Sequence, residues 1–585
     1  MTIAFLKKHP LVIAAALLIA AFFVMIPDLR SCNIMERDRE RYRLRRADAL
    51  IMALITLAYS AVAFYKLGNA ESPETFAEMG AHTAEIELDI NGGQVSHIML
   101  FTGVGIGSYK IEYTTDGQDL FELAEFRQTH AEVLKWHDVS LDYYVTGGTI
   151  KISAAGNVWL GELVPLTAEN GIVPATASKP ALCDEQLLCP AKMTYMNSSY
   201  FDEVYHARTA WEHLNGIYPY EITHPPLGKT IIGIGIALFG MTPFGWRFSG
   251  TLFGVLMLPV LYVFAKKLFG GRAVPSACTM LMATDFMHYT QTRIATIDTY
   301  AVFFILLMYL FMYLFISEGS RKCLALSGVF FGLGAASKWT CIYAGAGLAV
   351  IWEMWVITEA LHRRLDIKGF LRICGFCTAF FIIVPCIIYY LSYIPYGAAQ
   401  GKPLFSNAYL RMVLNNQDYM FNYHMGVEAS HPYSSCWYQW ILDIRPILYY
   451  LEYLPDGSRS SFGAFVNPML CWGGLLSLFA LLYIAVSRRD RRAWFIIIGY
   501  LAQLVPWMFV SRVTFAYHYF PCTVFLILTL GYIFDLFRLN DRHWRGYVGG
   551  FVLASLALFV LFYPVLSGKP YADGSLLKWM PTWPF

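Results

Sequence analysis

The sequence predicts a polytopic α-helical membrane protein of about twelve transmembrane helices with one inserted β-sandwich domain. Composition predicts the helices: 57% of the 585 residues are hydrophobic and 15% are charged, whereas soluble domains have roughly 25% charged residues. Long apolar runs recur along most of the chain. A different, alternating pattern over residues 81–167 predicts the β domain. The net charge of +2 gives no indication of a nucleic-acid partner.

Each apolar run is long enough to cross a bilayer as a helix, in which every backbone polar group is satisfied within the segment. Lys338, followed by Trp339, indicates a break between the sixth and seventh runs. The alternative is one tilted helix over 323–357, which would reverse the membrane orientation of every later segment. The predicted helices are 11–27, 48–66, 246–265, 274–290, 299–316, 323–337, 340–357, 370–392, 464–486, 493–510, 519–538 and 547–566.

Lys and Arg residues gather in short loops between these runs, and such loops lie on the cytoplasmic side. With twelve helices all the basic loops fall on one side, so both termini and the long segments 67–245 and 393–463 are predicted outside. The basic loops lie within 37–46, 266–272, 321–322, 363–368, 488–492 and 538–545.

The first run has two interpretations, a retained helix or a cleaved signal peptide. Lys7 and Lys8 before it form a weaker basic flank than the arginine cluster after it, and no A-x-A site precedes that cluster. We therefore expect a retained helix.

The β domain is predicted by period-two alternation of apolar and polar residues, interrupted by Gly and Asp-Gly turns. The pattern is that of a small antiparallel sandwich, and it resembles discoidin-like jelly rolls of the galactose-binding type, which often bind glycans or lipids. A spacer or packing domain that binds nothing is the alternative. The alternating stretches include "AEIELDI", "VSHIMLF", "YKIEYTTDG", "GGTIKIS" and "VWLGELVPL".

Two cysteines, Cys183 and Cys189, follow the linker 168–182 on the predicted outer side, where thiols can be oxidised. Their spacing allows a small disulfide-closed loop, and two free thiols are the alternative. Cys374 and Cys377 form a CxxC pair within an apolar run, where packing is the expected role.

The stretch after the β domain is amphipathic and predicts a helix lying in the membrane interface. Tyr205, Ala210 and Leu214 are expected to face lipid headgroups, and Arg208 and Glu212 are expected to face water.

An acidic pair, Asp202 and Glu203, begins this helix. Adjacent side chains on a helix point about 100° apart, so one carboxylate can meet a substrate while the other holds the site together. A partly desolvated carboxylate suits the role of a general base toward a hydroxyl group. The alternative is an acidic pair that merely stabilises the helix N-terminus. The apolar stretch 227–239 is too short for a confident span and predicts a second interfacial helix.

The stretch "FDEVYHARTAWEHLNGIYPYEITHPPLGK" closely resembles the first outer loop of the protein O-mannosyltransferase family, whose fold is the GT-C type. The resemblance covers residues 48–68 and about 195–585. Two features depart from the eukaryotic pattern: 393–463 is too short for their β-trefoil module, and a β domain is inserted before the acidic pair. Further resembling blocks are "PFGWRFSGTLFGVLMLPVLY", "QTRIATIDTY", "GLGAASKWT", "HPYSSCWYQWILDIRPI" and "PWMFVSRVTFAYHYFP".

The resemblance implies a polyprenyl-phosphate sugar donor, usually mannose, and an inverting transfer. By matching motif, Asp202 is the expected base and Glu203 orders the site. Arg247 is expected to support the loop or the donor phosphate, and His224 to line the pocket. On the residues alone, Arg247 could instead extend to lipid headgroups and His224 could cap the next helix.

A lipid monophosphate leaves with developing negative charge, which needs cations or amide donors nearby. No D-x-D motif is found on the predicted outer side. Fixed cations are therefore expected to serve instead of a metal: no cofactor is required, and a divalent ion is not indicated. We prefer Arg512 and Lys338 as phosphate ligands. Arg293 is the third candidate, with pairing to Asp298 or to headgroups as the alternative.

Histidine and tyrosine side chains also cluster in the predicted outer segments. His424, His431 and His518 lie near Tyr433 and Tyr517 in the sequence but have no metal-ligand spacing. We expect His224, His431, Tyr433, Tyr517 and His518 to line a pocket or to anchor at the interface.

The predicted domain plan places the candidate functional residues in the first outer loop and in the GT-C core. It comprises an additional N-terminal helix (1–30), a basic loop with the first GT-C helix (31–72), a β-sandwich (73–182), a catalytic first outer loop (183–245), and the GT-C core (246–585) with its outer loop 393–463.

Four functions compete. The first is transfer of mannose from a polyprenyl phosphate to Ser or Thr of exported proteins. The second keeps that donor but uses a lipid or wall-glycan acceptor; the HPYSS block and "FAYHYFP" favour the first. A lipid-linked sugar transporter is disfavoured because the acidic pair lies outside the spans and no internal repeat is found. A glycan-binding receptor would leave the spans unexplained.

The compact form suggests a bacterial member in the plasma membrane with its site outside. The β domain is expected to contact glycan or acceptor, and a dimer is an open alternative.

Overall fold

The computed structural model describes residues 39–79, 84–117, 119–426, 430–572 and 574–585. The predicted helix 11–27 lies outside the described residues. Eight described helices are long and apolar enough to cross a membrane, which confirms a polytopic α-helical membrane protein. Their bounds are Arg46–Phe64, Pro243–Phe269, Asp298–Glu318, Thr340–Leu361, Ile367–Ser392, Pro468–Arg488, Ala516–Asn540 and Trp544–Ser567.

The predicted count of twelve transmembrane helices is not confirmed. The predicted helix 274–290 is two helices, Ala273–Ala283 and Phe286–Thr292, because Asp285 caps the second by accepting from the His288 N–H. Arg321–Ser337 has 17 residues, and Arg491–Leu504 has 14 before a 3-10 turn follows. Apolar composition alone did not show where these helices end.

The predicted break at Lys338 is confirmed. Arg321–Ser337 ends there with Lys338 in extended backbone, at φ −157° and ψ 136°. The next helix, Thr340–Leu361, begins two residues later. The single tilted helix over 323–357 is therefore wrong.

The described chain divides into two compact units. The sheet unit comprises Tyr65–Glu221 and Lys229–Ser249, and the helical unit comprises Ile222–Gly228, Gly250–Phe585 and the residues before Tyr65. The helical unit contains most of the long helices, and its segment 393–463 contains further elements that the sequence did not predict. Among the described residues these are the helices Ile394–Ala398, Asn407–Gly426 and Trp437–Ile441 and the hairpin Ile447–Tyr453 with Arg459–Ala464.

The sheet unit contains the inserted β domain, a seven-stranded antiparallel sheet. Two long strands, β3 and β6, pair along most of their lengths, and the remaining strands pair at their margins. The strands are β1 (Ala77–Met79), β2 (Ala84–Ile90), β3 (Gln94–Thr114), β4 (Phe121–Gln128), β5 (Trp136–Thr146), β6 (Thr149–Leu166) and β7 (Ala175–Ala177).

The alternation that predicted the strands is a burial pattern. In β2, Ile86 and Leu88 are buried, whereas the alternating residues Glu85 and Glu87 are exposed. The registers of the strand pairs confirm antiparallel pairing, and the jelly-roll form stays a prediction.

Of the two alternatives for Cys183 and Cys189, the structure contains the free thiols and not the disulfide-closed loop. Cys183 packs against the large core of the sheet, and Cys189 packs against a separate cluster around Trp136. Their side chains thus belong to different packing environments.

Close helix packing in the helical unit yields a stability prediction. A Cβ atom on Gly328 would lie 2.1 Å from the carbonyl oxygen of Phe380, whereas one on Gly546 would meet no atom within 4 Å. We expect Gly328→Ala to destabilise the protein by about 1–3 kcal/mol, because the helix backbones must move apart. Thermal unfolding in detergent measures this, with Gly546→Ala as the matched control. An equal unfolding temperature for both variants would contradict the packing.

Candidate active site

The acidic pair lies at the start of helix Glu203–Leu214, and its two carboxylates have different surroundings. Asp202 is the N-cap residue and is partly exposed, whereas Glu203 is fully buried. Phe201 precedes them at φ 50°, a left-handed conformation that bulky residues rarely adopt. Such strained backbone is frequent at functional sites. The pair is therefore held in place by a tight turn.

Glu203 forms a buried, bidentate ion pair with Arg247. Arg247 Nε donates to Glu203 Oε1 at 2.8 Å, and Nη2 donates to Oε2 at 2.7 Å. Arg247 is 1% exposed and Glu203 0%. A charged pair is stable away from water only when its remaining hydrogen-bonding groups are also satisfied.

The remaining N–H groups of Arg247 meet that condition. Nη1 donates to the carbonyl oxygens of Leu67 at 2.9 Å and Tyr195 at 2.7 Å, and Nη2 donates to that of Ser198 at 2.8 Å. A guanidinium has five N–H donors, and all five are used. The guanidinium carbon also lies 4.8 Å from the ring centroid of Tyr200. This geometry favours the loop-supporting role of Arg247 over phosphate binding, and burial rules out extension to headgroups.

The expectation that Arg208 and Glu212 face water is wrong. They are 7% and 1% exposed, and Arg208 Nε donates to Glu212 Oε1 at 2.7 Å. Arg208 Nη1 also lies 3.1 Å from His130 Nδ1, and its guanidinium lies over the ring of Tyr220. Burial raises the pKa of Glu212, and the charge of Arg208 opposes that shift. Ala210 is buried too, and Tyr205 and Leu214 are exposed.

The β domain supplies the surface that buries this face of the helix. Trp211 lies 6.1 Å from Phe76 and 5.8 Å from Trp159 between ring centroids, and His130 belongs to the loop between β4 and β5. The inserted domain therefore packs directly on the helix that begins with the acidic pair. Binding of a glycan or an acceptor by the domain stays a prediction.

Within the helical unit, Lys338 pairs with Asp298 at 2.7 Å between Nζ and Oδ1. Its Nζ also lies 5.5 Å from the ring centroid of Tyr517. Asp298 begins the helix Asp298–Glu318, so the ion pair ties that helix to the break after Ser337. Part of the Lys338 charge is thus neutralised by the protein.

Arg512 differs from Lys338, because its side chain has no hydrogen bond or ion pair to any other residue that the structure describes. His424 lies close to it: burial lowers the pKa of His424 to about 4, and the charges of His224, Arg512 and Lys338 add to that shift. His424 and His224 contact each other with ring centroids 5.1 Å apart. In this group of four side chains, Arg512 and Lys338 carry the positive charge, and the low pKa of His424 leaves its ring neutral.

Arg293 is buried, and its Nη1 donates to the hydroxyl of Tyr289 at 2.6 Å. Its guanidinium also lies 4.8 Å from the centroid of that ring. The carboxylate suggested as its partner, Asp298, pairs with Lys338. The structure does not place Arg293 in the group around Arg512.

The remaining predicted pocket residues lie in two neighbouring segments of the helical unit. His431 and Tyr433 are partly exposed, and burial lowers the pKa of His431. His518 is buried, with its ring 4.2 Å from that of Trp507, so packing is its evident role. Tyr517 stacks on His518 at 4.5 Å.

Several site groups left no signal in the sequence. Arg247 donates hydrogen bonds to the carbonyl oxygens of Leu67, Tyr195 and Ser198. The sequence could not identify these acceptors, because every residue has a carbonyl group.

The Glu203–Arg247 pair yields a stability prediction. Glu203→Gln should destabilise the sheet unit by about 3–5 kcal/mol, because it leaves a buried guanidinium without its countercharge. Asp202→Asn, at a partly exposed position, should change the free energy of unfolding by about 0.5 kcal/mol or less. Thermal unfolding of both variants in detergent measures the difference. Equal losses would mean that Glu203 does not have the structural role described.

Residues 223–389 match the family described as "Dolichyl-phosphate-mannose-protein mannosyltransferase", and residues 409–583 match "C-terminal four TMM region of protein-O-mannosyltransferase". The acidic pair and the β domain lie outside both matched ranges.

Curated relatives and a solved structure agree. A polyprenol-phosphate-mannose–protein mannosyltransferase of Mycolicibacterium smegmatis is 25% identical over 66% of this chain and 87% of its own length. The Mycobacterium tuberculosis protein is 24% identical over 67% and 88%. The Saccharomyces cerevisiae Pmt1-Pmt2 complex bound to the sugar donor has a TM-score of 0.60 at 14% identity, covering 66% of this chain and 90% of that one. With its helices and its motifs, the chain belongs to the protein O-mannosyltransferase family of GT-C membrane glycosyltransferases.

Proposed function

We propose that this enzyme transfers mannose, with inversion, from a polyprenyl phosphate to Ser or Thr hydroxyls of exported proteins. The names of the mycobacterial relatives support the donor and a protein acceptor. The observation that supports the mechanism is that the two acidic residues differ in burial: Glu203 is buried in its ion pair, and Asp202 beside it is partly exposed.

Asp202 acts as the general base. Its carboxylate takes the proton of the acceptor hydroxyl while that oxygen attacks the anomeric carbon. The new C–O bond forms as the bond to the phosphate oxygen breaks, and the lipid phosphate leaves. Glu203 cannot share this role, because both of its oxygens accept from Arg247. Glu203 and Arg247 are instead positioning residues for the turn that presents Asp202.

The leaving phosphate needs positive charge that the protein has not already neutralised. Arg512 fits this need best, since its side chain has no ion pair to another described residue. Lys338 contributes with the N–H groups not used by Asp298, and Arg293 is assigned to the contact with Tyr289. No step is assigned to a metal ion. His224, His431, Tyr433 and Tyr517 line the donor or acceptor path.

The distribution of charge supports a side of the membrane for this site. Basic loops favour the cytoplasmic side, which supports an acidic pair on the opposite, outer face of a plasma membrane. Membership in a glycosyltransferase family disfavours the transporter and receptor alternatives. A lipid or wall-glycan acceptor is an outcome that the assay below distinguishes.

Transfer is tested with purified protein, radiolabelled polyprenyl-phosphate mannose and a Ser/Thr-rich peptide. We expect Asp202→Asn to lower the rate of peptide labelling by about 10²–10⁴-fold, because the hydroxyl loses its proton acceptor. Donor binding should be retained. Glu85→Gln, an exposed carboxylate in β2, is the control and should label at the parental rate.

The labelling results decide both the identity of the base and the class of acceptor. If Asp202→Asn labels the peptide as fast as the parent, Asp202 is not the base. If the parent labels lipid extracts but no peptide, the second acceptor class is correct.

Donor binding tests the cations separately. Arg512→Met should weaken binding of the polyprenyl phosphate by roughly 10–100-fold, the effect of losing a charge-assisted hydrogen bond. Lys338→Met should have a smaller effect, because Asp298 shares its charge. Arg411→Met, at an exposed position on Asn407–Gly426, is the matched control. Unchanged binding in Arg512→Met would contradict the assignment of Arg512.

A further inference from the structure

A cluster of three carboxylates lies in the sheet unit, separate from the acidic pair. Glu162 belongs to β6, and Asp184 and Glu185 lie between the 3-10 turns Pro180–Leu182 and Gln186–Leu188. One carboxylate oxygen from each of the three lies within 4.8 Å of the others. Like charges at this spacing repel unless something neutralises them.

Glu162 is the unusual member, because it is 0% exposed. Its Oε2 accepts from the Glu185 N–H at 3.0 Å. Its Oε1 is buried and has no hydrogen-bond partner in the part of the chain that the structure describes. A buried carboxylate oxygen without a partner is costly, and such an atom points to a missing ligand.

Within the described residues, no basic side chain offsets these charges. Across the described ranges, none of the three carboxylates forms an ion pair with a Lys, Arg or His. Burial raises the pKa of Glu162 to about 8, and the charges of Asp184 and Glu185 shift it in the same direction. A bound proton or a bound cation must therefore compensate the cluster.

The other two carboxylates are held in place before any ligand binds. Thr75 Oγ1 donates to Asp184 Oδ1 at 3.0 Å, and the N–H groups of Glu74 and Thr75 donate to Glu185 Oε2 at 3.0 and 3.2 Å. Ligands that are fixed by surrounding hydrogen bonds lose little freedom on binding an ion. A proton alone would not require this arrangement of three acidic groups.

We propose that Glu162, Asp184 and Glu185 bind a calcium ion. All the donor atoms are oxygens, which hard cations prefer, and calcium accepts irregular sets of carboxylate, hydroxyl and water oxygens. The nearby thiol of Cys183 is not among the three converging groups, which disfavours a zinc site. The ion ties β6 to the segment that continues to Tyr195 and Ser198, whose carbonyls receive Arg247.

The test uses the full-length protein, purified in detergent and treated with EDTA. Addition of calcium chloride should raise the unfolding temperature by about 5 °C, as expected for a ligand that binds only the folded state. Binding of radioactive calcium should show one site. Glu162→Gln should remove this site and the rise in unfolding temperature that calcium causes. Glu85→Gln, exposed in β2 of the same sheet, should keep both.

Asp184→Asn is the second variant, since Asp184 is exposed and its substitution should not prevent folding. It should weaken calcium binding by at least about tenfold, as loss of one charged ligand does. Magnesium chloride at the same ionic strength should give a smaller temperature shift.

Three results would overturn the proposal. The first is a parent protein without a calcium response, which would mean that a proton neutralises the cluster. The second is an unchanged response in both Glu162→Gln and Asp184→Asn. The third is an equal shift with magnesium, which would indicate general screening of charge.

Discussion

The ion pair between Glu203 and Arg247 is the interaction on which the arrangement of the site depends. One guanidinium joins four parts of the chain: the segment at Leu67 that follows helix Arg46–Phe64, the loop at Tyr195 and Ser198, the helix that begins at Glu203, and its own helix, Pro243–Phe269. Burial of both charges is tolerable only because every donor of Arg247 has a partner. Replacement of Arg by Lys would keep the charge but lose the bidentate geometry.

The same interaction gives the two neighbouring acids different chemistry. Glu203 is committed to a structural role, and Asp202 is left at the helix N-terminus with access to solvent. The strained turn at Phe201 lies directly before them. Strain of this kind persists where surrounding contacts hold the backbone in place, and Arg247 binds Ser198 and Glu203 on either side of Phe201. A base that must meet a hydroxyl group at a defined position benefits from such rigidity.

The inserted β domain is part of this support. Its loop and its aromatic residues cover the helix Glu203–Leu214 through His130, Phe76 and Trp159, and they bury the Arg208–Glu212 pair that an amphipathic helix would expose to water. The helix therefore keeps charged residues on a buried face. The segment after β7, which contains two of the three carboxylates, leads from the sheet to the loop that Arg247 binds.

The sequence by itself determined the membrane class, the antiparallel sheet, the break at Lys338 and the family. These depend on local periodicity, on charge, or on long motifs such as "HPPLGK", and all three are written in consecutive residues. Only the tertiary structure decided how the helices end, that Cys183 and Cys189 stay apart, and that Arg208 and Glu212 are buried. The tertiary structure alone showed that Glu203 is buried in an ion pair whereas Asp202 is partly exposed. It also showed that Arg512 has no ion pair to another described residue, whereas Lys338 and Arg293 bind other side chains. The physical reason is that burial and hydrogen-bond partners come from segments far apart in the chain, as Arg247 and Leu67 show.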